Sequence, residues 1–102
     1  MVKKVTPVIA WDRAALYSLQ KVFEYIQKDS PQNAVKVRDS ILKIIRGIPD
    51  HPLKFPPDKF KTNNQGNYRA FEKFSYRIAY RVSDKEIKIL RIRHVKQEPK
   101  GY

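Results

Sequence analysis

Tyr76-Arg77-Ile78-Ala79-Tyr80-Arg81-Val82-Ser83-Asp84-Lys85-Glu86-Ile87-Lys88-Ile89-Leu90-Arg91-Ile92-Arg93-His94 decides the fold of this chain. Tyr76, Ile78, Tyr80 and Val82 fall on one side of an extended backbone, and Arg77, Ala79 and Arg81 on the other. That period of two is the mark of a half-buried strand. Ser83-Asp84-Lys85 is a tight link, so the next run, residues 86–95, reads as the second arm of an antiparallel hairpin. Even alternation there puts Leu90, Ile92 and His94 on one face and Ile87, Ile89, Arg91 and Arg93 on the other.

Upstream, residues 67–74 form another strand candidate, in which Arg69, Phe71 and Lys73 share a face. Residues 49–66 are irregular and hold four of the chain's seven prolines. Phe55 and Phe60 in that stretch should tuck back onto the core, and residues 62–67 are polar and turn-like. Two helices precede it. Ala15, Leu16, Leu19, Val22, Phe23 and Ile26 recur at threes and fours behind Asp12, a suitable N-cap. Ser30-Pro31 then starts a second stripe of Ala34, Val37, Ile41, Ile44, Ile45 and Ile48, stopped by Gly47 and Pro49. Residues 1–10 read as a first strand, and Pro7 there suits a strand end or an edge position. The order β-α-α-β-β-β is α+β. It comprises an N-terminal strand, a helical hairpin and a three-stranded antiparallel meander, with the helices on one sheet face and the other face open. One domain over residues 1–102 suits this length.

Composition narrows the chemistry. The 102 residues contain no cysteine, which excludes disulfide scaffolds, zinc ribbons and Cys nucleophiles. No apolar run is long enough to span a membrane, and Asp12 and Arg13 interrupt any signal-peptide pattern, so the expectation is a cytoplasmic protein without membrane contact. Lys and Arg number 22 against 10 Asp and Glu, a formal net charge of +12. Such an excess predicts an anionic partner. Residues 1–53 hold 9 basic and 5 acidic side chains, and residues 54–102 hold 13 and 5, so the sheet half carries most of it.

Packing Tyr76, Ile78, Tyr80 and Val82 inward leaves Arg77 and Arg81 on the open face, where Arg69, Lys73, Arg91 and Arg93 can join them. Arginine forks match phosphate oxygens, and a nearby aromatic ring can stack a base. Neither His51 nor His94 has a second ligand at metal spacing, and three glycines make no phosphate loop, so no cofactor or metal is expected. Metal-free chemistry on a phosphodiester remains. It needs a group to activate a 2′-hydroxyl, a group to protonate the leaving oxygen, and cations for the phosphorane. His94 suits proton transfer. Arg77, Arg81, Arg69 and Arg93 suit charge neutralisation, and Tyr102 can stack a base or donate a proton if the tail folds back.

Several features together resemble one known family: Trp11, Ala15-Leu16 and Leu19 in the first helix, the Ser30-Pro31-Gln32-Asn33-Ala34 helix start, the 76–82 strand, and Ile89-Leu90-Arg91-Ile92-Arg93-His94. From about residue 5 to residue 99 the chain is similar to the RelE/ParE superfamily of type II toxin–antitoxin toxins, also known as plasmid stabilisation proteins. The resemblance implies a small antiparallel sheet with a helical hairpin on one side and a cognate antitoxin as partner, with operator DNA reached only through it. RelE-like members cleave mRNA in the ribosomal A site without metal, and ParE-like members poison DNA gyrase. On the first branch the resemblance gives Arg77 and Arg69 to the scissile phosphate and His94 or Tyr102 to proton transfer. Lys73, Arg81, Arg91, Arg93 and Lys96 are left to hold RNA, Lys96 standing where the family has an arginine. The mRNA endonuclease is the leading expectation. A gyrase inhibitor, or an inactive homologue that only binds its antitoxin, is the alternative.

Overall fold

The computed structural model describes residues 6–97 and 101–102. Residues 1–5, part of the expected first strand, and residues 98–100 of the tail lie outside the described residues. Strand β1 (Val8–Trp11) leads into α1 (Arg13–Gln27), and α2 (Pro31–Gly47) runs into a short 3-10 turn, Ile48–Asp50. Strands β2 (Tyr68–Lys73), β3 (Tyr76–Val82) and β4 (Glu86–His94) follow. The helix starts form as their sequences require: Asp12 accepts from the Ala14 amide at 2.9 Å, and the Ser30 hydroxyl from the Asn33 amide at 3.1 Å. Among the described residues no helix is long and apolar enough to cross a membrane.

The sheet order is β1-β4-β3-β2. β2, β3 and β4 are the antiparallel meander, and β1 lies at the edge, parallel to β4, from Val8 beside Glu86 to Trp11 beside Ile89. Pro7 therefore sits just before an edge strand, where its missing N–H breaks no ladder. One face of the sheet meets the helices. Ile41 and Ile45 of α2, Ile48 of the 3-10 turn and Ala15 of α1 pack there against Ile78, Tyr80, Ile87, Ile89 and Ile92. Each large side chain so buried contributes roughly 1.5–3 kcal/mol. The β2–β3 turn places Phe74 and Ser75 both at positive φ (50° and 67°), the mirror-image geometry that suits the twist of a two-residue hairpin.

Even alternation does not hold in β4. Ala79 faces Arg91 and Tyr80 faces Ile89, so Leu90 is an extra residue, a β-bulge. The bulge shifts the phase by one. Ile87, Ile89 and Ile92 all reach the core, while Arg91 and Arg93 emerge beside Ala79 and Arg77 on the other face. The β2 register brings a second correction. Directly opposed residues share a face, and Arg69 stands opposite Tyr80, Phe71 opposite Ile78 and Lys73 opposite Tyr76. Arg69 and Lys73 thus lie on the helix side rather than on the open face. Glu72, opposite Arg77, places an acid among the arginines of the other face.

The second face is also less open than its alternation suggests. Phe60 packs against the Arg77 guanidinium, 4.9 Å from ring centroid to Cζ, instead of entering the core. Phe55 does reach the core edge, 4.8 Å from Phe71 between ring centroids.

Candidate functional site

The irregular stretch before β2 builds the site. Pro57 bridges to Arg69, the Ala70 amide donates to Pro56 O, and the Asp58 amide donates to Tyr68 O at 2.8 Å, so the loop covers the outer edge of β2. Asn64 fixes the return. Its Oδ1 accepts from the Gly66 and Tyr68 amides, and its Nδ2 donates to Tyr68 O at 2.7 Å. Gly66 turns the chain at φ +101°, a conformation that disfavours any side chain.

This scaffold delivers Asp58 to Arg77. The Asp58 side chain is 2% exposed and is the buried charged residue among the described positions. Its Oδ1 accepts from Arg77 Nη2 at 2.8 Å and from the Phe60 amide at 3.1 Å, and its Oδ2 accepts from the Tyr102 phenol at 2.7 Å. Arg77 Nη1 donates to Glu72 Oε2 at 3.0 Å. Burial by itself pushes the Asp58 carboxyl up. Hydrogen bonds from Arg77, Tyr102 and the Phe60 amide outweigh it and hold the group below the ordinary carboxylate value. Burial, reinforced by the adjacent Asp58 carboxylate, pushes the Tyr102 phenol well above the ordinary tyrosine value. The Arg91 guanidinium lies over the Tyr102 ring, 4.6 Å from its centroid.

Arg69, Lys73 and Arg81 are placed apart, and His94 stands at the end of β4. Arg69 donates from Nε to Gly66 O at 2.8 Å and from Nη1 to Phe55 O at 2.8 Å and Leu53 O at 3.3 Å, which ties it to loop backbone. Lys73 lies against the turn, its Nζ 4.8 Å from the Phe74 ring centroid. Arg81 pairs with Glu86 at 3.6 Å. His94 stands opposite Tyr76, edge-on to its ring at 5.2 Å, and its Nδ1 accepts from the Lys96 amide at 3.0 Å.

Two concavities flank the end of β4. A cleft of ≈ 140 Å³ on the arginine side is bordered by Asp58, Phe60, Arg77, Arg91, Arg93 and His94. A broader groove lies between α1 and β4, lined by Tyr17, Lys21, Tyr25, Tyr76, Arg93 and Lys96 among others, with no carboxylate among the described lining residues. Tyr17 and Tyr25 are 64% and 68% exposed there. Asp58 is the functional residue that charge counting misses. Nothing beside it in the sequence marks its role, since Arg77 and Tyr102 lie 19 and 44 positions away.

Comparisons with known proteins agree with this architecture. Residues 9–99 match the family described as ParE toxin of the type II toxin–antitoxin system parDE. The "Putative toxin Y4kP" of Sinorhizobium fredii is 28% identical over 90 residues, covering 88% of this chain and 90% of that protein. Among solved structures, the chromosomal ParDE toxin–antitoxin system from P. aeruginosa superposes with a TM-score of 0.68 at 22% identity, over 87% of this chain and 96% of that one. The YoeB dimer from Staphylococcus aureus gives 0.59 at 20% identity, over 88% and 98%. With the mixed four-stranded sheet and helical hairpin on one face, and a family match across nearly its whole length, the chain belongs to the ParE toxin family of type II toxin–antitoxin systems.

Proposed function

We propose that this toxin is held inactive by a cognate antitoxin and acts on a protein target, DNA gyrase, without cutting a phosphodiester. One observation carries the reading: Arg77, Tyr102 and Arg69, three of the groups a nuclease would use, are committed elsewhere. The Arg77 guanidinium is closed between Asp58 and Glu72. The Tyr102 phenol is bound to Asp58. Arg69 sits across the sheet, holding carbonyls. A cation whose charge is matched by two carboxylates has little left for a phosphorane. The family match and the likeness to a ParDE system support the same branch. The groove, whose described charged lining residues are all basic, with exposed Tyr17 and Tyr25, supports an acidic, amphipathic antitoxin as partner. On this reading the toxin works in the cytoplasm.

A second reading, a ribosome-dependent mRNA endonuclease, is favoured by the cleft that gathers Arg77, Arg91, Arg93 and His94. Induced expression without the antitoxin separates the two. The gyrase reading gives growth arrest, a DNA-damage response and intact mRNA by primer extension. New mRNA 5′ ends without DNA damage would replace it with the endonuclease. Undisturbed growth would leave an inactive homologue.

A further inference from the structure

Phe60 lies on the Arg77 guanidinium with its amide on Asp58 Oδ1, and Tyr102 fastens the segment that carries it from the front. The Tyr102 amide donates to Phe60 O at 3.0 Å. The Tyr102 carbonyl accepts from the Thr62 amide at 2.6 Å and from Thr62 Oγ1 at 2.8 Å. Its phenol closes the set on Asp58. The ring is braced edge-on to Tyr68 at 6.0 Å, with Lys61 Nζ 5.5 Å from its centroid. The approach is close, since a Cβ added at Gly101 would stand 3.4 Å from Phe60 O. Behind the segment, the attachment to the sheet runs through residues 56–58, and Phe60 joins it through its amide bond to Asp58 Oδ1 at 3.1 Å.

We propose that Tyr102 is a latch. Seated, it holds residues 60–62 against Arg77 and restricts the approach of phosphate-bearing ligands to that guanidinium, at one wall of the cleft that Arg91 and Arg93 also border. Withdrawn, it lets Phe60 lift and opens Arg77, with Arg91 and Arg93 beside it. Arg77 keeps Asp58 in either state, so the latch governs access more than charge. Its bonds are polar and concentrated at one residue, the kind of attachment that opens locally while the core stays folded. The phenol–carboxylate bond is charge-assisted, so loss of the hydroxyl alone should loosen the latch in part. The proposal is independent of whether the toxin's target is gyrase or mRNA.

Phenylglyoxal, which modifies exposed guanidinium groups, reads the latch directly, with Arg81 as internal reference. Tyr102→Ala should raise the modification rate of Arg77 about tenfold over wild type, the scale of one charged hydrogen bond and its flanking contacts. Tyr102→Phe should raise it less, and Arg81 should be unchanged in both. Affinity for inorganic tripolyphosphate should rise in the same order. An Arg77 rate within twofold of wild type in Tyr102→Ala, or a rise shared in proportion by Arg81, would overturn the latch. So would a tripolyphosphate affinity that ignores residue 102.

Discussion

Arg69 and Arg77 look alike in the sequence, each an arginine inside a strand with aromatic residues nearby. In the fold they serve opposite faces. Arg69 spends its donors on the neutral carbonyls of Leu53, Phe55 and Gly66, and so fixes the path of the loop. Arg77 spends them on two carboxylates, and so fixes Asp58 beneath Phe60. Strand parity, set by register, decides which job an arginine takes. The pair also shows why a +12 chain does not present +12 to a partner: some of its strongest donors hold the protein itself together.

The comparison breaks most visibly at Asp58. Asp58→Ala strands the largely buried Arg77 guanidinium with only the exposed Glu72, and should cost about 3 kcal/mol in urea unfolding. Arg69→Ala leaves carbonyls near the surface that water can reach, and should cost about 2 kcal/mol. A larger loss at Arg69 than at Asp58 would reverse the ranking.

Acid sharpens the contrast, because carboxylates titrate and carbonyls do not. The Asp58 carboxyl lies lower in the folded protein than its ordinary value of 3.8. The unfolded chain therefore takes up its proton first as pH falls. The contribution of Asp58 to stability is fully present above about pH 4 and is lost as pH falls through the folded value. Asp58→Asn should flatten the acid limb of a stability–pH curve, whereas Arg69→Ala should lower the curve without changing its shape.

Smaller effects test the same scheme. Tyr80 is fully buried and donates to Pro52 O at 3.0 Å on the Arg69 side, so Tyr80→Phe should lose about 1 kcal/mol by thermal unfolding. Glu72 is half exposed, and Glu72→Gln should change stability by less than about 1 kcal/mol in the same measurement.

The sequence makes some of this legible and hides the rest for physical reasons. Both helices announce themselves, because Asp12 and Ser30-Pro31 are local signals and the apolar stripes are long. The meander is readable from period two. The bulge at Leu90 is not, because one inserted residue leaves both halves of β4 alternating and only the phase changes. Register has no local signal either, so Arg69 and Lys73 cannot be assigned a face from their own strand. Asp58 and Tyr102 meet across 44 positions of sequence through a loop whose path depends on Asn64 and Gly66. A cation such as Arg77 is visible in the sequence, but the carboxylate that neutralises it is not.

Arg77 is matched by Asp58 and Glu72 and serves the structure, and on the proposed function the toxin works by binding a protein. Supercoiling of relaxed plasmid by DNA gyrase, titrated with the purified chain, tests that most directly. The account predicts a concentration-dependent loss of supercoiling, kept in a folded Glu72→Gln variant and reversed by the antitoxin. Full supercoiling at saturating toxin would contradict it.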